Sequence, residues 1–130
     1  MPTIKEIKAR LRELGLENEF GYRAETRRIP ECLEQDETLR GITAGIYQGR
    51  RWYVLLTEQR LLLLAKPTMG SPRLVAIEFG QVRNIAIKKG LIFGTLTIET
   101  TTDSYTFTNV LKKSIPSFLT ATGSAGLPST

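Results

Sequence analysis

The sequence contains no histidine, so the commonest general base and the commonest metal ligand of proteins are both missing from this chain of 130 residues. Its single cysteine, Cys32, has no second thiol for a disulfide or a zinc site and no imidazole partner for a catalytic dyad. The glycines never occur at the spacing of a phosphate-binding loop. These absences argue against an enzyme, and we expect neither a cofactor nor a metal ion.

Long hydrophobic runs are also absent. The longest apolar stretch, from Val54 to Ala65, is interrupted by polar residues at 57–60, so it is too short to span a bilayer. The N-terminal segment has a charged helical pattern and lacks the apolar region of a signal peptide. With one cysteine, a reducing compartment is the simplest interpretation, although a secreted protein without disulfides would share the pattern. We therefore expect a cytoplasmic protein, with a peripheral location at the membrane as an open alternative.

The charges are unbalanced towards the basic side. Eighteen Lys and Arg residues stand against 13 Asp and Glu residues, which gives a net charge of +5. This excess permits contact with anionic membranes, nucleic acid or acidic proteins without selecting one of them. The adjacent carboxylates Asp36 and Glu37 are the only pair that invites a catalytic interpretation, and we predict that they form a solvated turn after a short helix.

Residues 1–36 are predicted to form an N-terminal helical extension packed on the rest of the domain. The segment "TIKEIKARLREL" places four apolar residues on one helical stripe: Ile4, Ile7, Leu11 and Leu14. Thr3 and Glu6 have the spacing of a capping box, and Gly15 is a suitable stop. A helix that faces a partner or a lipid surface is the alternative. A weaker helical pattern in "YRAETRRIPECLEQ" makes Cys32 a small buried residue.

From Thr38 onward the pattern is that of β-strands, about seven of them at short spacing. The segment "RWYVLLTEQRLLLLAK" indicates two strands around a turn at 57–60, and the unbroken leucines at 61–64 indicate a strand buried on both faces. "KPTMGSPR" indicates a loop. In "VRNIAIKK" the apolar residues Val82 and Ile85 are three positions apart, which breaks the two-residue alternation of a strand and predicts a bend. The remaining strands are predicted in "TLRGITAGIY", "LVAIEF", "KKGLIFGTLTI" and "SYTFTN".

A closing helix is predicted after the last strand. Asn109 is a candidate N-cap, and an apolar stripe follows at Leu111, Ile115, Phe118 and Leu119. Pro116 is expected to kink or shorten this helix. Residues 121–130, "ATGSAGLPST", are predicted to be a flexible tail.

Two glycines interrupt the strand pattern of "KKGLIFGTLTI", residues 88–98. Gly94 lies on the apolar face of the strand, where we expect a bend or the close approach of a crossing sheet. Gly90 follows Lys88 and Lys89 in a turn, where a positive φ would favour glycine. Both are predicted to be structural and not ligand-binding residues.

Several ordered segments together resemble the bacterial pleckstrin-homology (PH) domains of the YokE-like kind. They are "VLLTEQRLLLL", "VRNIAIKKGLIFGTLTIET" and "YTFTNVLKK", preceded by "RIPECLEQDETLRGITAG", and the resemblance covers roughly residues 20 to 120. It implies a mainly β fold, α+β by helix content, in which about seven antiparallel strands form a barrel or sandwich with a C-terminal capping helix. The PH-like domain would then occupy residues 37–120.

The resemblance also implies a non-enzymatic binding module. Protein–protein interaction or self-association is the leading hypothesis, through a sheet edge or the groove beside the closing helix. Weak binding to anionic membrane surfaces is an alternative, because Arg50 and Arg51 follow the first strand–strand turn, where related domains dock lipid headgroups. Lys88 and Lys89 complete the candidate anion-binding residues. Nucleic-acid binding, through a patch that adds Arg27, Arg28, Lys112 and Lys113, is a further alternative, and we consider it unlikely because aromatic residues do not interleave with these basic ones.

Overall fold

A computed structural model describes residues 2–65 and 73–130 of the chain. Four helices, α1 to α4, are Ile4–Glu13, Glu17–Phe20, Ile29–Cys32 and Ile115–Ser124. Seven strands, β1 to β7, are Leu39–Tyr47, Arg50–Thr57, Arg60–Ala65, Arg73–Glu78, Val82–Lys89, Phe93–Thr100 and Ser104–Leu111. Short 3₁₀ helices occupy Glu25–Arg28, Phe79–Gln81 and Lys112–Ser114. The loop predicted from "KPTMGSPR" lies outside the described residues except for Arg73, which begins β4.

The strands form one antiparallel sheet in the order β4-β3-β2-β1-β7-β6-β5, which confirms the predicted PH-like architecture. The pairing of Ile46 with Thr108 joins β1 to β7 and thereby connects the two halves of the sheet. The register of β5 shifts between Val82 and Asn84, which confirms the bend predicted from the slipped apolar phase.

Apolar side chains on the two faces of the sheet form two separate cores. On the inner face, Trp52, Val54, Leu61 and Leu63 pack with α4 and with β5, β6 and β7. On the outer face, the alternate residues of β2 and β3 pack under the N-terminal helices: Tyr53, Leu55, Leu62 and Leu64. The four consecutive leucines are therefore buried on both faces, as their unbroken pattern predicted.

The first helix packs on its own domain. The capping box of Thr3 and Glu6 is formed, and Gly15 has the positive φ that favours glycine at a helix end. Ile7 and Leu11 are buried in the outer core. No helix in the described ranges is long and apolar enough to cross a membrane.

The C-terminal region differs from the sequence-based predictions. Asn109 is not an N-cap; it lies inside β7 with a φ of 54°. Pro116 does not interrupt the helix, because it occupies its first turn, where a missing amide hydrogen costs nothing.

The predicted flexible tail is instead docked on the domain. Residues 121–124 complete α4, and Leu127 is buried in the inner core. The backbone amide of Ile85 donates to the carbonyl of Pro128 at 2.9 Å, and the amide of Thr130 donates to the carbonyl of Ile85 at 3.0 Å. These bonds hold the segment beside the outer edge of β5. The small polar residues of this segment suggested that it would be disordered. Instead, the buried side chain of Leu127 and the free edge of β5 hold it in place.

Candidate functional site

A tight turn positions the two arginines predicted to bind anions. Gln48 and Gly49 have φ values of 52° and 73°, the conformation of a two-residue hairpin whose twist matches its strands. Successive residues of a strand face opposite sides of the sheet. Arg50 therefore shares the inner face with Trp52, while Arg51 lies on the outer face. The two arginines do not form a single clamp.

The two basic pairs lie in different parts of the sheet. Strands β1, β7 and β6 separate β2, which carries the arginines, from β5, which carries Lys88 and Lys89. Four interstrand spacings correspond to about 19 Å along the sheet. Because β1 pairs antiparallel with β7, the β1–β2 turn beside the arginines and the β5–β6 turn beside the lysines point to opposite ends of the sheet. In the described part of the chain, none of the four side chains forms a salt bridge.

Sequence reasoning missed a third arginine near Arg51. A small pocket of about 110 Å³ on the outer face is lined by Arg23, Arg51 and Phe93, together with Asn109 and backbone of β1. Arg23 is held in place because its Nε donates to the carbonyl of Glu19 at 2.6 Å. Two guanidinium groups at one small pocket can contact a phosphate or carboxylate. Arg23 lies in the N-terminal extension, so no local motif connects it with Arg51.

Three of the basic residues considered for nucleic-acid binding have polar partners within the protein. Arg28 pairs with Glu31 at 3.1 Å, and Lys113 pairs with Glu19 at 3.2 Å. Lys112 instead donates its Nζ to the carbonyl of Leu91 at 2.7 Å. These partners hold the side chains on the protein surface, which weakens the case for a phosphate-tracking groove.

The two predicted structural glycines have different surroundings. Gly90 does not have a positive φ; a Cβ there would lie 2.8 Å from the carbonyl oxygen of Phe93, which accepts the Gly90 amide in the turn. At Gly94 a Cβ would lie 2.7 Å from Cδ1 of Ile115, so the group that approaches this glycine belongs to α4 and not to a crossing sheet. The close crossing of strands occurs at Gly45, where a Cβ would lie 2.8 Å from the carbonyl oxygen of Thr108.

In the described part of the chain, a groove of about 830 Å³ lies beside α4, where β1 begins and β2 ends. Apolar atoms of Leu14, Leu56, Phe79, Ala121 and Ala125 line this groove, with hydroxyl groups of α4 beside them. The charged groups at its margin are already paired, Arg10 with Glu13 at 2.7 Å and Arg40 with Glu58 at 3.6 Å. The groove is called the α4 groove below.

The acidic pair that was predicted to be a solvated turn contains a buried carboxylate. Asp36 is exposed, but Glu37 is only 1% exposed. Its Oε2 accepts from Nε of Arg60 at 2.8 Å and from the hydroxyl of Thr57 at 2.7 Å, and its Oε1 accepts from Nη2 of Arg60 at 2.9 Å and from the amide of Glu34 at 3.0 Å. Burial opposes ionisation, yet these hydrogen bonds outweigh it and lower the pKa of Glu37.

This arrangement is structural and does not resemble an acid–base site. Every oxygen of Glu37 is engaged, so neither is free to take a proton from a substrate. The hydroxyl oxygen of Thr57 also accepts hydrogen bonds from the backbone amides of Gln59 and Arg60. These bonds explain how the β2–β3 turn forms without glycine. Cys32 is buried, and burial raises the pKa of its thiol to about 11, so it is not an activated nucleophile.

Comparisons with known proteins agree with this architecture. A family model described as a bacterial PH domain matches residues 33–122. The crystal structure of the C-terminal domain of an unknown protein from Leishmania infantum aligns with a TM-score of 0.55 at 17% identity, covering 76% of this chain and 92% of that one. At that identity the likeness concerns the fold alone. A search of curated proteins found no significant match.

Proposed function

Because the chain belongs to the bacterial PH-domain family, we propose that it is a non-enzymatic binding module whose principal ligand is a protein segment bound in the α4 groove. PH-like domains are in general binding modules, but fold alone does not name a ligand, so the surface features must carry the proposal. One observation carries it: in the described part of the chain, a groove of about 830 Å³ has a largely apolar lining, and the charged groups at its margin are paired with each other.

The chemistry of the α4 groove favours apolar side chains as ligands. A bound phosphate or carboxylate would need an unpaired cation, whereas Arg10 and Arg40 each have a carboxylate partner at the groove. Hydroxyl groups of Ser117 and Thr120 can supply a few orienting hydrogen bonds. A groove with an apolar floor and few polar groups is the arrangement that receives the anchor residues of a peptide.

The outer edge of β5 is a weaker candidate for peptide binding. An extended peptide could add to a free strand edge, but the chain's own residues 128–130 already pair with Ile85 there. A peptide would have to displace this segment together with its buried anchor, Leu127.

Selection from a random peptide library against the purified protein tests the proposal. We expect apolar peptides that bind the wild type and lose at least tenfold in affinity for Thr120→Trp, because Thr120 is exposed and lines the groove. Thr106→Trp, which adds the same side chain to an exposed position of β7, is the control and should bind as the wild type does. Peptides that bind all three proteins equally would refute the use of the α4 groove.

The two basic pairs support a second candidate function, weak binding to anionic membranes. Arg50 and Arg51 follow the β1–β2 turn, Lys88 and Lys89 precede the β5–β6 turn, and the sequence has no Asp or Glu between residues 79 and 98. Arg50→Ala combined with Arg51→Ala should then reduce binding to anionic vesicles, and raised salt should do the same in the wild type. Equal binding to neutral vesicles would contradict an electrostatic contact. A shift of labelled DNA or RNA that the same substitutions abolish would favour nucleic acid instead.

A further inference from the structure

The turn between β5 and β6 exposes three consecutive apolar side chains. Leu91 is 98% exposed, Ile92 74% and Phe93 40%. Two hydrogen bonds hold the turn in place: the amide of Gly90 donates to the carbonyl of Phe93 at 2.8 Å, and Nζ of Lys112 donates to the carbonyl of Leu91 at 2.7 Å. An ordered, exposed apolar surface of this kind marks an interaction site. Residues 91–93 are called the β5–β6 tip below.

Basic side chains lie on several sides of the tip. Lys88 and Lys89 precede it in the chain and are exposed, and Lys112 is bonded to its backbone. Phe93 also lines the small pocket described above, which holds two guanidinium groups. The sequence has no Asp or Glu between residues 79 and 98, so the charged side chains of the turn and of β5 are all positive.

The carboxylates of two neighbouring elements are already paired. The β2–β3 turn points to the same end of the sheet as the tip, and its Glu58 accepts the amide of Thr38 at 2.9 Å and pairs with Arg40 at 3.6 Å. Glu19 pairs with Lys113 at 3.2 Å. Because these carboxylates have cationic partners of their own, the surroundings of the tip keep an excess of positive charge.

We propose that the β5–β6 tip inserts into the headgroup region of an anionic lipid bilayer, with Lys88 and Lys89 contacting lipid phosphates. This inference goes beyond the α4 groove and rests on the second candidate function, for which it names the contact. Apolar side chains flanked by lysines suit an interfacial position, because the apolar groups leave water while the long cationic side chains stay among the headgroups. Near an anionic surface each lysine raises the affinity about fivefold.

The size and the hydrogen bonding of the tip favour a bilayer over a protein partner. A stable protein interface buries about 800 Å² on each side, and three side chains on a narrow turn supply only part of that area. A bilayer requires no complementary shape and accepts apolar side chains singly. The carbonyls of Leu91 and Phe93 are already hydrogen-bonded within the protein, which lowers the cost of moving this turn out of water.

Cosedimentation with lipid vesicles tests the inference. The wild type should bind vesicles that contain phosphatidylglycerol and not vesicles of phosphatidylcholine alone. Leu91→Ser combined with Ile92→Ser keeps every charge and should lose at least tenfold in affinity. Both side chains are exposed, so the fold should persist, and circular dichroism checks this. Leu74→Ser, at an exposed leucine of β4, is the matched control and should bind as the wild type does.

Tryptophan fluorescence distinguishes insertion from adsorption at the surface. Ile92→Trp places an indole on the tip and Leu74→Trp places one on β4, while the native Trp52 is buried in the inner core and gives the same background in both proteins. Anionic vesicles with brominated acyl chains should quench the emission of Ile92→Trp and leave that of Leu74→Trp unchanged.

The outcomes separate the inference from the function on which it rests. If the wild type binds anionic vesicles, but the doubly substituted tip variant binds equally tightly or the bromines do not quench Ile92→Trp, insertion is refuted and an electrostatic contact of the basic pairs remains. If the wild type does not bind anionic vesicles, both are refuted. Self-association of the wild type that the tip variant loses would then assign the tip to a protein contact.

Discussion

Adding a single methyl group at Gly45 should destabilise the domain strongly, because this glycine lies where β1 crosses β7. A Cβ at this position would lie 2.8 Å from Cβ of Phe107 and 2.8 Å from the carbonyl oxygen of Thr108. Neither atom can rotate away, since one is fixed directly to the backbone and the other belongs to it. The strands would have to separate beside the pairing of Ile46 with Thr108 that joins the two halves of the sheet.

The expected change in the free energy of unfolding depends on the atoms that each added methyl group contacts. Overpacking costs about 1–3 kcal/mol, and we expect about 3 kcal/mol for Gly45→Ala because rigid atoms oppose it. Gly94→Ala should cost about 1 kcal/mol, since the atom it meets, Cδ1 of Ile115, ends a side chain that can adjust. Gly123→Ala should instead stabilise the domain by about 0.5–1 kcal/mol, because the position is helical and nothing lies within 4 Å.

Thermal and urea unfolding of the three variants measures this series. For a domain of this size, 1 kcal/mol corresponds to about 3–5 °C in Tm, so Gly45→Ala should melt about 10 °C below the wild type and Gly123→Ala slightly above it. Because all three variants carry the same Gly→Ala change, differences between them report the surroundings of each position. A Gly45→Ala protein as stable as the wild type, or a Gly123→Ala protein less stable than Gly45→Ala, would refute the strand crossing described here.

Three other predictions concern buried groups. Glu37→Gln should cost about 3 kcal/mol, because it leaves Arg60 without its carboxylate partner. The pKa of Glu37 in the folded state lies below its ordinary value of 4.5, so the stability that its ionised form contributes is present above pH 4.5 and is lost as the pH falls through the folded pKa. The Glu37→Gln variant should therefore lose less stability in acid than the wild type does. An equally steep loss in both proteins would contradict this role of Glu37. Removing residues 128–130 should accelerate hydrogen exchange at the amide of Ile85, whereas unchanged protection would mean that this segment is not bound. Cys32 should react slowly with iodoacetamide at neutral pH and rapidly after unfolding, and fast reaction in the folded state would show that its thiol is accessible.

Features that depend on neighbouring residues could be predicted from the sequence. The strands follow alternation and unbroken apolar runs, and the bounds of β5 agree with the segment "VRNIAIKK" from which it was predicted. The capping box of α1 is local as well, because its donors and acceptors lie within one turn of helix. Such features need no knowledge of the tertiary fold.

The wrong predictions concern groups whose partners are distant in the chain. Glu37 was taken for a solvated residue because its partner, Arg60, is 23 residues away. Leu127 was assigned to a flexible tail because one apolar residue among small ones has no periodicity, yet it reaches the inner core. Gly94 was predicted to permit a bend or the close approach of a crossing sheet. The register of β6 shifts between Gly94 and Leu96, which agrees with a bend, but the approaching atom belongs to Ile115 and the strand crossing occurs at Gly45.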